Sequence, residues 1–249
     1  MIKGLYTASS SMLANQRKMN IISNNLANVD TTGYKKDEGI QESFPEMMIS
    51  LIEKGRRPRE IGSLGTGVRL QETYTDFNQG SIIQTGNKLD LAIDGDGFFV
   101  VQTPEGLRYT RNGNFSLNEN GQIVSSQGYP VLGDNGPIQT IDGRDISVDN
   151  EGQLYFGDLR GDRLLVVDFP DTNQLTKIGE NLFASELEGE EQITGFQVKQ
   201  GYLEKSNINM VQEMVKMIET SRYYDVNQKV ISAYDDTLDK VVNSVGRLG

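Results

Sequence analysis

An apolar stripe at heptad spacing runs along each end of this chain, and it dictates two long helices that cannot stand alone in water. At the front, Leu5, Ala8, Met12, Met19, Ile22 and Leu26 recur in alternating steps of three and four, with Asn15 the polar member of the series. At the back, Met210, Met214, Met217, Tyr224, Ile231, Leu238, Val242 and Val245 repeat the spacing, interrupted by Ser221, Gln228 and Asp235. A second row of Val211, Val215, Ile218, Val226, Val230 and Ala233 lies beside it, which makes the rear stripe wide enough for more than one neighbour. The helix breakers agree: all six prolines fall between Pro45 and Pro170, and no glycine interrupts the stretch between Gly201 and Gly246. Helices over residues 2–28 and from the caps Ser206, Asn207 or Asn209 to Val245 would be about 40 and 60 Å long. Burying the six front positions contributes on the order of 10 kcal/mol before entropy, whether the partner is the other end of the chain or another copy.

Between the ends the pattern changes to short β-type runs separated by Gly, Asn and Asp turns, among them LDLAIDG, GFFVVQT, GQIVSSQ, ISVDN, GQLYFG and RLLVVDF. Asn118-Glu-Asn-Gly121 and Asp149-Asn-Glu-Gly152 are one turn chemistry used twice, and each reads as a hairpin corner in which glycine supplies a positive φ. Phe44 to Lys54 has Pro45 in its first turn and Met47, Met48, Leu51 and Ile52 on one side, which predicts a short helix before the basic run Lys54, Arg56, Arg57 and Arg59. The expected organisation is an N-terminal helix and loop over 1–34, a connector with that short helix over 35–64, a central β-rich domain over 65–202 and a long C-terminal helix over 203–249. The fold class is α+β, with the terminal helices forming a coiled-coil-like module.

Chemistry is constrained by what is missing. There is no histidine and no cysteine, which removes the commonest general base, the thiolate nucleophile and the usual zinc ligands. A net charge of −11 disfavours nucleic acid, whose phosphates require clustered Lys and Arg. Asp94 and Asp96 in IDGDGFFVV form a carboxylate pair that a wall-acting or glycan-binding β-domain with dimerising helices would use as its site, but their strand-turn-strand flanks favour a turn role. The segment from Ser116 to Gln127 has the spacing of a calcium loop without its first and last carboxylates. No catalytic residue, cofactor, metal or small-molecule substrate is therefore expected. MIKGLYTASSSMLANQRK lacks the continuous apolar run of a signal peptide, and no transmembrane-length stretch follows, so the expectation is a cytosolic chain or one exported without cleavage.

Four blocks carry a resemblance. SNNLANVDTTGYK at Ser23 to Lys35 closely resembles the N-terminal signature of flagellar axial proteins of the rod and hook, and GYLEKS at Gly201 to Ser206, with the helix after it, resembles their C-terminal signature. LDLAIDGDGFFVV and YTRNGNFSLNENGQIVSSQGYPVLG resemble the β-rich middle of flagellar basal-body rod proteins. The resemblance implies a tubular assembly with the terminal helices in its inner wall, partners among self, rod, hook-side and rod-base subunits, and residence in the basal body outside the cytoplasmic membrane. It also implies export by the flagellar type III apparatus without signal cleavage. Leu5, Met12, Met19, Ile22 and Leu26 would pack against Met214, Met217, Tyr224, Ile231 and Leu238 of the same or neighbouring subunits, with Asn24, Asn25 and Asn28 specifying register. On that reading Ile22→Asp or Met217→Asp blocks incorporation and leaves the β-domain folded. YTRNGNF and GYPVLGDNGPI look like the proximal rod type, GTGVR at Gly65 to Arg69 like the distal type, and the reading leans to proximal.

Overall fold

The computed structural model describes residues 2–45, 47–51, 59–140, 145–179, 181–185, 191–192 and 196–245. The chain divides into two compact units, one made of residues 1–26, 37–74 and 210–249, the other of residues 27–36 and 75–209.

The first unit contains both helices. α1 spans Ile2–Ala27 and α2 spans Met210–Val245, so the C-terminal helix expected from residue 203 begins later, Tyr202–Glu204 being a strand paired with Ile82–Gln84. Asn209 sits immediately before α2, at the N-cap position, and Glu213 in the first turn has the charge that a helix N-terminus favours. The helices run antiparallel and in step. Tyr234 lies against Gly4, where a Cβ would strike its ring and hydroxyl, and seven residues along α1 the Ser11 hydroxyl accepts a 3.1 Å hydrogen bond from the Asn227 amide. Strand Asp37–Ser43 pairs with strand Val68–Thr75 in the same unit, with Gly39 passing close to Leu70 and Ile21.

The short helix expected over Phe44 to Lys54 is corrected: Met47–Leu51 is a strand, antiparallel to Arg59–Leu64 from Met47↔Leu64 to Leu51↔Arg59. Four apolar positions over six residues satisfy a helical face and a buried strand about equally well, and the ladder supplied by Arg59–Leu64 decides between them. Ile52 to Pro58, with Lys54, Arg56 and Arg57, lies outside the described residues. Strands thus begin at Asp37, well before Gly65.

The second unit is built on a six-stranded antiparallel sheet whose order is Leu175–Ile178, Leu182–Ser185, Gly106–Thr110, Phe98–Thr103, Val166–Asp168 and Glu191–Gln192. The run FFVV at its centre does not alternate apolar with polar because both faces are covered. Phe99 and Val101 point into a core with Leu91, Ile93, Phe115, Leu154 and Val166, while Phe98 and Val100 point into another with Tyr109, Val167, Phe169 and Phe183. Both turns read from the sequence are hairpin corners, joining Phe115–Leu117 to Ile123–Ser125 and Ile146–Val148 to Gln153–Phe156, with Gly121 at φ 72° and Gly152 at φ 79°. Their chemistry is the same: Asn118 Oδ1 accepts from the N–H groups of Asn120 (3.0 Å) and Gln122 (2.8 Å), and Asp149 Oδ1 from those of Glu151 and Gln153 (both 2.9 Å).

Candidate assembly interface

The inner face of α2 is not the apolar stripe that its sequence displays. The residues turned inward are Glu213, Met217, Thr220, Tyr224, Asn227, Ile231 and Tyr234, again in steps of four and three, and three of the seven are polar or charged. Each of the three has a hydrogen-bond partner. Glu213 accepts a 2.8 Å hydrogen bond from Lys216, which also lies 3.8 Å from Glu38; Thr220 donates to the Lys216 carbonyl at 2.7 Å; and Asn227 holds Ser11. With polar groups able to line this seam, several apolar residues of α2 are left outside it. Met210, Met214, Val215, Ile218 (55% exposed), Val226 (56%) and Val230 form an exposed row over about five turns.

The stripe residues therefore separate. On α1, Ile22 is buried and Leu5, Met12, Met19 and Leu26 are partly buried; on α2, Met217, Tyr224 and Ile231 are partly buried, whereas Met214 and Leu238 are exposed. Of the three asparagines assigned to register, Asn25 is buried and uses its amide as a strand would, donating to the Asp37 carbonyl at 2.8 Å and accepting from the Asp37 N–H at 3.0 Å. Asn28 closes the turn after α1 by accepting from the Thr31 hydroxyl at 3.1 Å, and Asn24 is exposed.

The two terminal signatures meet inside the second unit. Lys35 Nζ sits 2.7 Å from Glu204 Oε1 and donates to the Asn78 carbonyl at 2.9 Å, with side-chain exposures of 0% for Lys35 and 1% for Glu204. Glu204 Oε1 also accepts from the Gly80 N–H at 2.8 Å. Arg111 approaches Glu204 Oε2 at 3.5 Å, donates to the Gly95 carbonyl at 2.9 Å and lies over the Phe98 ring. Burial pushes both cations below their ordinary pKa values, and the Glu204 carboxylate opposes that shift in each. Asn207 adds to the clasp by accepting from the Lys36 N–H at 2.9 Å and donating to the Asp76 carbonyl at 2.8 Å, so it ties loops rather than capping α2. Nothing local announces this cluster. Lys35 and Glu204 are 169 positions apart, and the only signal was a charge standing inside each of two motif blocks.

Gly33 lets the clasp close. Its φ is 67°, its N–H donates to the Glu204 carbonyl at 2.9 Å, and a Cβ there would collide with the Arg111 and Asn112 backbone. Gly33→Ala is expected to lower the stability of the second unit by about 2 kcal/mol, read as a shifted denaturant midpoint.

Asp94 and Asp96 do not form a catalytic pair. Asp94 ends a strand and holds Lys199 at 2.6 Å, Asp96 is exposed, and the glycines between and after them, Gly95 and Gly97, have φ of 109° and 115°. Among the described residues no group of three or more carboxylates is placed to hold a metal ion, and no helix is long and apolar enough to cross a membrane. Charge is also divided by unit: the helical unit has 13 acidic and 13 basic residues, and the second unit has 22 against 11, hence the entire net charge of −11. A neutral helical unit can be crowded among copies without mutual repulsion.

Comparison with known proteins agrees with this arrangement. Residues 5–35 match the family described as flagella basal body rod protein, residues 92–156 the flagellar hook protein FlgE/F/G D1 domain, and residues 199–244 the flagellar basal body rod FlgEFG protein C-terminal family. The chain is 36% identical to the flagellar hook-basal body complex protein FlhO of Bacillus subtilis, with 100% of both chains covered. It is 36% identical to the flagellar basal-body rod protein FlgG of Buchnera aphidicola subsp. Schizaphis graminum, covering 97% of this chain and 99% of that one. It is 35% identical to the flagellar basal-body rod protein FlgF of Caulobacter vibrioides, covering 100% and 99%.

Proposed function

Because this chain belongs to the flagellar basal-body rod protein family and is a structural subunit of that rod, we propose that its terminal helices make the coiled-coil-like seam through which copies polymerise. The observation that carries this reading is the outer row of α2, where Met214, Val215, Ile218, Val226 and Val230 stay exposed on a helix whose inner face is already occupied. Burying five such side chains would contribute on the order of 10 kcal/mol per contact before the cost of association. The partners are further copies and other axial subunits of rod and hook type. The work done is mechanical: many lateral contacts, each individually modest, transmit torque together, and a heterologous contact repeats until another protein caps it. The chain reaches a site outside the cytoplasmic membrane through the flagellar type III export apparatus, without cleavage, and YTRNGNF and GYPVLGDNGPI favour the proximal part of the rod.

Electron microscopy of basal bodies from cells lacking this chain tests the proposal. Rods that stop short and regain full length when the chain is supplied are expected, and the point at which they stop distinguishes proximal from distal. Complete rods in its absence would overturn the assignment.

A further inference from the structure

Sulfur chemistry in this chain is confined to methionine, since cysteine is absent. Among the methionines whose exposure the structure describes, Met12, Met19 and Met217 are partly buried, and Met48, Met210 and Met214 are exposed, at 63%, 40% and 46%. Met210 and Met214 stand one helical turn apart on α2, at four-residue steps that continue to Ile218. They open the exposed row, which thus starts with two thioethers before its branched aliphatic side chains. A methionine packs as an apolar side chain only while its sulfur is unoxidised, because the sulfoxide is polar.

The oxidation requires no catalytic residue, only access. A sulfur lone pair attacks one oxygen of a hydroperoxide, and the S–O bond forms as the O–O bond breaks. The proton on the transferred oxygen leaves with the departing hydroxide or alkoxide, as water or an alcohol. Sulfur is oxidised to the sulfoxide and the peroxide is reduced by the same electron pair. At Met210 and Met214 the product leaves the folded chain little changed, because both side chains already reach solvent.

We propose that Met210 and Met214 form an oxidation site that controls assembly: hydroperoxide converts them to sulfoxides in the free chain, and the oxidised row no longer packs. The inference rests on the polymer reading above and adds a chemical control to that contact. Exclusion runs both ways. A sulfoxide buried in an apolar seam has no donor, so the oxidised chain is kept out of the rod; once packed, the seam shields both sulfurs, so the assembled rod resists peroxide. Met48 is the internal comparison, being more exposed than either and lying on the strand Met47–Leu51 instead of on α2.

The full-length chain is treated with hydrogen peroxide, and oxygen uptake at each methionine is followed by peptide mass spectrometry. Met210 and Met214 are expected to oxidise roughly tenfold faster than Met12, Met19 and Met217, and equal rates would overturn the site. In isolated rods the same two are expected to react roughly tenfold more slowly than in the free chain, and an unchanged rate would overturn the shielding. Met210→Gln/Met214→Gln, which puts a polar amide where the sulfoxide would stand, is expected to block rods in cells lacking the native chain. Met210→Leu/Met214→Leu is expected to build them, and Met48→Gln as well. Missing rods from the leucine pair would overturn the inference, since polarity would then not be the cause. Circular dichroism matching the native chain is expected from both pairs; lost helix in the glutamine pair would place its effect in folding and overturn the control of assembly. Normal rods from the glutamine pair, while Ile218→Asp still blocks them, remove this inference alone, whereas normal rods from Ile218→Asp remove the outer-row interface on which it rests.

Discussion

Replacing Glu204 by Ala lowers stability by about 3–5 kcal/mol, and replacing Lys35 by Met lowers it by distinctly less. The order follows from the charges. Glu204 is one carboxylate between two cations, and its loss strands Lys35 and Arg111 together in a site from which water is excluded. The Gly80 N–H loses its acceptor at the same time. Removing Lys35 instead leaves Arg111 and Glu204 as a neutral pair, and the Asn78 carbonyl that Lys35 held still accepts from the Asn207 amide at 3.1 Å. Urea denaturation of the full chain, followed by a probe of β-structure, measures both losses. Equal losses, or a larger loss from Lys35→Met, would show that the cluster is not held by charge balance. Because Glu204 and Lys35 lie in the two terminal signatures, the same result would explain what those charged positions do: they close the second unit around Gly33 before any neighbour is present.

Ile218→Asp abolishes rod assembly while the chain keeps its wild-type stability to within about 0.5 kcal/mol, since the side chain is more than half exposed and touches no core. In the assembled state the same carboxylate would be buried against apolar neighbours without a partner, a cost of several kcal/mol per contact, repeated along the polymer. Ile22→Asp behaves differently. Ile22 is 3% exposed within the helical unit, so an aspartate there is expected to cost about 3 kcal/mol or more in the monomer itself, and its failure to assemble would report unfolding rather than a lost contact. Circular dichroism of the purified chains with motility and basal-body microscopy in complemented cells separates the two. Normal rods from Ile218→Asp, or a folding defect in it as large as that of Ile22→Asp, would sink the outer-row interface.

The sequence was a better guide to elements than to faces. Both helices were legible as elements because long periodic stripes and the exclusion of Pro and Gly are properties of local backbone, and the two hairpin corners were legible because Asn118 and Asp149 satisfy their own loops. Met47–Leu51 was not, since a five-residue apolar run has no preference until a partner strand exists. Met214 and Met217 belong to one heptad series, yet Met214 is exposed and Met217 partly buried: the inner seam accepts Glu213, Thr220 and Asn227, whose hydrogen bonds no hydropathy pattern encodes.

What the sequence determined alone was the kind of protein: two long helices flanking a β-rich middle, no histidine or cysteine chemistry, and motif blocks at both ends. Periodicity and turn chemistry act over a few residues, so a linear string records them in full. The tertiary structure decided which side of α2 is left open, that Asn25 closes on Asp37, and that Lys35 and Glu204 share one buried site. Those outcomes depend on desolvation and on hydrogen-bond partners brought from up to 216 positions away, and such terms have no value until the chain has folded.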